Sequence, residues 1–271
     1  MNDARLRVRS LVAALILLAL TSLTARAETG DGFLANLHSF RVSNYLALDA
    51  YYRFSANGDT DTLNEIVGGI NMANTAMNDL AASTAGVLSE DEVEGLNQQF
   101  DIFKNLMRDN INDVRNTGYP DLRLVSDMAN QAATISEMAT ELYQVALESS
   151  QISVNPRVEA ARSAAITLAQ MMAKYSARTH STVAQTFQGS SSEKPLDQQA
   201  LEFDTLLGEI NKGASEGQLK SALDDVASKW QFIRGSYINY NDNNVSFVID
   251  RYSKGILQGL STTIELLQEN A

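Results

Sequence analysis

The chain contains no cysteine and only three prolines in 271 residues. Without a thiol there can be no disulfide, thiolate nucleophile, iron–sulfur cluster or covalently held haem. Lipid attachment behind an export signal, which also needs a cysteine, is excluded too. Histidine is nearly absent. His38 and His180 lie far apart, and neither has a carboxylate at metal-ligand spacing. No Glu-x-x-His occurs, so the ligand set of a di-iron bundle is missing. Nor is there a Gly-x-Ser-x-Gly or a phosphate loop. Basic residues are outnumbered, with 21 Lys+Arg against 33 Asp+Glu and a formal net charge of −12. Such a surface repels nucleic acid and anionic lipid. The expectation from these absences is a protein that is no enzyme, carries no cofactor and holds no metal.

The N-terminus has an export pattern. Arg5, Arg7 and Arg9 precede the apolar run Leu11 to Leu20, and Ala25-Arg26-Ala27 supplies a small-x-small cleavage site. A run of about ten apolar residues is too short for a bilayer, which needs about twenty. Residues 1–27 are therefore expected to be a signal peptide cut after Ala27. The expected product is soluble, periplasmic or secreted, and not inserted in a membrane.

What remains is helical. Met128, Ala132, Ile135, Ala139, Leu142 and Ala146 recur in steps of three and four, as do Leu257, Leu260, Ile264 and Leu267. This period suits antiparallel bundles. Asn155-Pro156 reads as N-cap and first helical residue, and Tyr119-Pro120 places a proline in another first turn. Ser89 to Glu92 reads as a capping box, and Thr62 with Glu65 as a second. The map is all-α, with helices over 32–56, 60–86, 90–116, 120–149, 156–188, 195–213, 216–240 and 244–269. Two oxygen-rich stretches, Asn57 to Asp61 and Asn239 to Asn244, lack EF-hand spacing and read as turns and caps.

The two halves parallel each other. Arg41 opens one stretch and Arg162 the other, and twelve residues later stand Arg53-Phe54 and Lys174-Tyr175. Phe100 with Phe103 in one half matches Trp230 with Phe232 in the other. The pattern predicts two four-helix units in tandem, over 28–150 and 151–271.

Residues 162–175 read Arg-Ser-Ala-Ala-Ile-Thr-Leu-Ala-Gln-Met-Met-Ala-Lys-Tyr, followed by Phe203 with Leu207 and then by Trp230. This order resembles the N-terminal periplasmic sensor bundle of type IV pilus methyl-accepting chemotaxis transducers (PilJ-type domains). That bundle's hallmark helix has the form A-G-R-Q-R-M-L-S-Q-R-M-A-K. Leu168, Gln170, Met172, Ala173 and Lys174 match it, over about 115 residues of resemblance. The hallmark arginines fall on Ala164, Ile166 and Met171, and Arg162 stands one turn too early. Related nitrate sensors grip an anion with an arginine of this helix at a dimer interface, so the fold and sensory role carry over and the anion does not.

Tyr45, Tyr51 and Tyr52 on the first helix, and Tyr237, Tyr240 and Tyr252 on the last pair, are candidates to line a pocket between helices. The expected ligand-binding residues are Tyr45, Tyr52, Arg162, Gln170, Lys174 and Trp230. The expected function is a non-enzymatic, sensor-like protein that binds a small-molecule solute, acting in trans with a chemosensory or pilus system; a homodimer is compatible with this. The alternative is a periplasmic structural or adaptor protein that binds an envelope or secreted protein.

Overall fold

Each proline lies at or just before a helix start in the computed structural model, which describes residues 30–82, 87–149, 154–180, 194–213, 215–242 and 244–269. Pro156 is the first residue of its helix, Pro195 immediately precedes one, and Pro120 stands two residues ahead of another. A proline interrupts no helix interior, so no i−4 hydrogen bond is lost. The described residues form eight helices and no strand. They are α1 (Gly30–Asn57), α2 (Thr60–Ala82), α3 (Glu90–Thr117), α4 (Leu122–Ser149), α5 (Pro156–His180), α6 (Leu196–Ile210), α7 (Gly217–Ile238) and α8 (Ser246–Glu269). The expected signal peptide lies outside the described residues, as does 181–193, where the fifth helix was expected to reach 188.

Local chemistry sets the ends. At α3, Ser89 Oγ accepts from Glu92 N–H at 3.3 Å while the Glu92 carboxylate accepts from Ser89 N–H at 2.8 Å, closing the expected capping box. Asn155 Oδ1 accepts from Arg157 N–H at 3.0 Å, the expected cap of α5. Gly118 ends α3 at φ 84°, a left-handed conformation that costs glycine little. One expectation is corrected at α2. Its cap is Asp59, whose Oδ1 accepts from Thr62 N–H at 2.8 Å. Thr62 is thus a buried third residue of the helix, and Glu65 is left to pair elsewhere.

The helices close into two rings. In the first, α1 packs on α2 and α4, and α3 packs on both of those; in the second, α5 packs on α6 and α8, and α7 packs on both of those. Short turns at 58–59 and 118–121 reverse the chain between neighbours, as does the break between α7 and α8, the up-down-up-down bundle order. The rings meet through their first helices, α1 against α5. Gln170 reaches Tyr45 and Ser176 reaches Asp49. The two numbers rise together, so α1 and α5 run parallel.

A helix flanked on three sides must be apolar nearly all round. From Gly32 to Ser55 only Ser39 is exposed, and on α5 only Pro156, Ser163 and Arg178 are. Alanines make this approach possible. Ala173 and Ala177 of α5 belong to the first unit's core, and Val42 of α1 packs against the second's. Each unit also draws one helix pair close through a glycine. A Cβ on Gly69 would lie 3.0 Å from the backbone N of Ala47, and one on Gly259 would lie 2.5 Å from Cγ2 of Val226.

Candidate functional site: a cleft over the seam

The α1–α5 seam has two sides, and polar chemistry treats them differently. On the side of α2 and α8, ion pairs bind it shut. Arg53 pairs with Asp49 at 3.0 Å, with Glu65 of α2, and with Asp250 of α8 at 3.4 Å. Lys254 bridges Glu65 at 2.8 Å and Asp250 at 2.9 Å. The buried Asp49 also accepts from the Ser176 hydroxyl at 2.6 Å. Burial pushes the Asp49 carboxyl up from its ordinary value, and Arg53 and Ser176 oppose that. Four helices from both units share this one network.

On the side of α4 and α6 the seam opens into a cleft of about 410 Å³. Its volume lies within the range of small-molecule sites. Three of the residues expected from the sequence, Tyr45, Gln170 and Lys174, line it. Gln170 Nε2 donates to the Tyr45 hydroxyl at 3.2 Å, and Gln199 Nε2 of α6 donates to Gln170 Oε1 at 3.2 Å. This relay crosses from α6 over α5 to α1. Gln199 is only 4 % exposed, and its Oε1 is buried without a hydrogen-bond partner among the described residues. The α4 wall contributes Ser136, Glu137, Thr140 and Glu141. Lys174 Nζ donates to the Lys194 carbonyl at 2.9 Å, and Lys194 pairs with Glu202 at 2.8 Å. These amides, hydroxyls, carboxylates and ammonium groups can hold a polar molecule by charge and hydrogen bonds.

One turn of α1 before Tyr45 lies a buried polar layer. Arg162, 2 % exposed, donates to the Tyr143 hydroxyl at 3.2 Å and to Glu159 at 3.0 Å. Arg41 lies over the ring of the same tyrosine, 5.6 Å from its centroid. The two arginines that open the parallel halves of the sequence therefore meet at the seam, around one tyrosine. Beside them, burial and then Arg162 and Arg41 push the His38 imidazole down to about 3, so it is neutral. Arg162 does not line the cleft.

The other expected residues go elsewhere. Tyr52 is buried in the first core, with its ring edge-on to Tyr51 at 6.0 Å. Trp230 is buried in the second core, 4.4 Å from Phe203, with Nε1 donating to Asp204 at 2.7 Å. The two tyrosine groups do not make one ring. Tyr51 donates to Asn110 at 3.2 Å, and Tyr237 meets Ser253 at 2.9 Å, both inside cores. Of the six tyrosines, the cleft takes only Tyr45.

Sequence reasoning missed Gln199, Glu137 and Glu141. Gln199 had a signal: it stands among Leu196, Ala200 and Phe203 on the apolar stripe of α6, where an amide needs a partner. Glu137 and Glu141 had none, since only the packing of α4 on α1 and of α6 on α5 sets them across the cleft from α6. A second, shallower groove of about 500 Å³ runs between α7 and α8 along Gly255 and Gly259. Among the described residues no group of three metal-ligating side chains occurs, and no helix is long and apolar enough to cross a membrane. Compared with known proteins, the chain matches no family model, no curated protein and no solved structure.

Proposed function

We propose that this chain is an exported, non-enzymatic, sensor-like protein that binds a small polar solute in the cleft between its two four-helix units. The observation that carries this reading is the cleft floor. Tyr45, Gln170 and Gln199 come from three helices and form one relay that ends in a buried amide oxygen with no partner among the described residues. Leaving such a group unsatisfied costs about 1–3 kcal/mol, and a bound solute donating to it removes that cost. The resemblance to chemotaxis-transducer sensor bundles supports a sensory role. Together with the expected export signal, it supports a role outside the cytoplasm, in trans to a chemosensory or pilus system.

The test is a thermal-shift screen of the mature chain against amino acids, organic acids, sugars and polyamines. A true ligand at a hundred times its Kd adds about 2.7 kcal/mol, which for this size is a rise of roughly 5–10 °C. Gln170→Leu should abolish the rise while leaving the helical circular dichroism intact. A screen in which no solute shifts the wild type sinks the reading.

One observation favours the adaptor alternative. Phe232 and Phe247 are 62 % and 74 % exposed, and Phe232 packs on Tyr252 with ring centroids 4.6 Å apart. Exposed aromatics of this size suit a protein partner. A stable hetero-complex seen by light scattering and crosslinking, and lost in Phe232→Ser/Phe247→Ser, would favour it.

A further inference from the structure

Capping accounts for only half of the Asn244 side chain. Its Oδ1 accepts from Ser246 N–H at 3.2 Å and from the Thr179 hydroxyl at 3.3 Å, tying the start of α8 to the end of α5. The residue is exposed, and its Nδ2 makes no hydrogen bond among the described residues. An aspartate would accept the same two bonds and suit a helix N-terminus at least as well. What asparagine adds there is a free amide nitrogen. Asn244-Val245-Ser246 is also an Asn-x-Ser/Thr acceptor motif for N-linked sugar, and no other asparagine in the chain begins one. Asp242, exposed and two residues ahead, lets a transferase read the acceptor by charge as well. The acceptor is held in place from α5, where Arg178 bonds Asn241 and lies over the Tyr240 ring, 4.3 Å from its centroid.

Resting on the export in the reading above, we propose that Asn244 carries an N-linked glycan, donated by a polyprenyl-pyrophosphate-linked sugar. Asn244 Nδ2 attacks the anomeric carbon of that sugar. The C–N bond forms as the C–O bond to the pyrophosphate breaks. The lipid pyrophosphate leaves with the electron pair, and one Nδ2 proton passes to a base of the transferase. The linked amide keeps its Oδ1, so the bonds from Ser246 and Thr179 survive the modification. The folded chain accommodates the sugar, because the acceptor side chain is at the surface. The neighbourhood gains from it too. Phe247, three residues on, is 74 % exposed. A bulky, hydrated glycan beside that ring keeps an apolar patch from self-association.

Mass spectrometry of the full chain, purified from the cells that encode it, tests this at the level of intact protein and of peptides. The expected chain begins after Ala27 and is heavier than its sequence by an oligosaccharide, carried on the peptide that contains Asn244. Ser246→Ala should lose the added mass although Asn244 remains, and Ser246→Thr should keep it. Asn244→Asp should lose it while retaining both accepted hydrogen bonds. All three variants should keep the helical circular dichroism of the wild type, so a lost glycan is not a lost fold. A chain cut after Ala27 but bare at Asn244 overturns the glycan and leaves export standing. A chain that keeps residues 1–27 and is bare at Asn244 overturns both. An added mass that persists in Ser246→Ala also overturns the assignment, since the motif would not be what directs it.

Discussion

The two units share a plan and differ in one helix. Each begins with a helix buried on almost every side, and each uses a glycine to draw one helix pair together. In the first unit all four helices run 23 to 28 residues, whereas in the second α6 has only 15. At 1.5 Å per residue α6 is about 20 Å shorter than α4, which stands across the seam from it. It begins close to Lys174, and the cleft lies where it begins. The units differ at their caps as well. Side chains close the starts of α2 and α3, while α6 and α7 begin at Pro195 and Glu216 with no side-chain hydrogen bond. The first unit is finished as a scaffold. The second trades helix length and caps for an opening beside its seam helix.

The comparison breaks most clearly if the units are energetically separate. Phe100→Ala in the first core and Trp230→Ala in the second each remove a fully buried ring, at about 3–5 kcal/mol. The shared Arg53 network and the abutting cores predict that either variant lowers one common urea transition. Two separated transitions, with each variant moving only its own, would show that the seam is a weak contact.

A smaller effect separates the two glycines. Gly259→Ala drives a methyl onto the Val226 side chain and should cost about 1–3 kcal/mol. Gly259→Ala/Val226→Ala should recover part of that loss. Gly69→Ala meets the Ala47 backbone, which cannot be trimmed, so the same rescue is closed to the first unit.

Acid probes the layer beneath the cleft. The folded value of His38, about 3, lies below the ordinary 6.5. Its contribution to stability is thus fully present above pH 6.5 and is lost as pH falls from there toward 3, at no more than about 1.4 kcal/mol per pH unit. Urea midpoints between pH 7 and 5 should fall in the wild type and flatten in His38→Gln. An equally steep fall in the variant would assign the acid sensitivity to other groups.

The smallest expected effects concern the caps. Ser89→Ala removes half of a capping box and should cost about 1 kcal/mol. Glu216 sits in the extended conformation of an N-cap without filling the role, so Glu216→Ser should add about 0.5–1 kcal/mol. A loss in the second variant would mean that the uncapped start of α7 is compensated in another way.

Much of this fold was legible because its rules are local. Periodicity placed the helices, and Asn155-Pro156 and Ser89 with Glu92 placed two of their starts to the residue. Asp59 lay in the stretch read as turns and caps ahead of a helix beginning at 60, but Thr62 and Glu65 offered a competing box; Asp59 takes the cap, and Glu65 pairs with Arg53 and Lys254 instead. The site was half legible. Tyr45, Gln170 and Lys174 came from motif and aromatic clustering and do converge on the cleft. Trp230 and Tyr52 came from the same reasoning and lie in cores, because a large ring on an apolar stripe packs inward whatever else it resembles. Arg162 was judged one turn too early for an anion. The reason it sits there is tertiary: α1 runs parallel to α5, so Arg41 and Arg162 share a layer with Tyr143.

The account stands on the cleft between α4 and α6 being where the solute binds. Hydrogen–deuterium exchange tests it most directly, with and without whichever solute raises the melting temperature most. The account predicts added protection in peptides spanning Tyr45, 136–141, 170–174 and 199–202, with none along the groove at Gly255 and Gly259. Protection at that groove alone, or none at the seam, would contradict it.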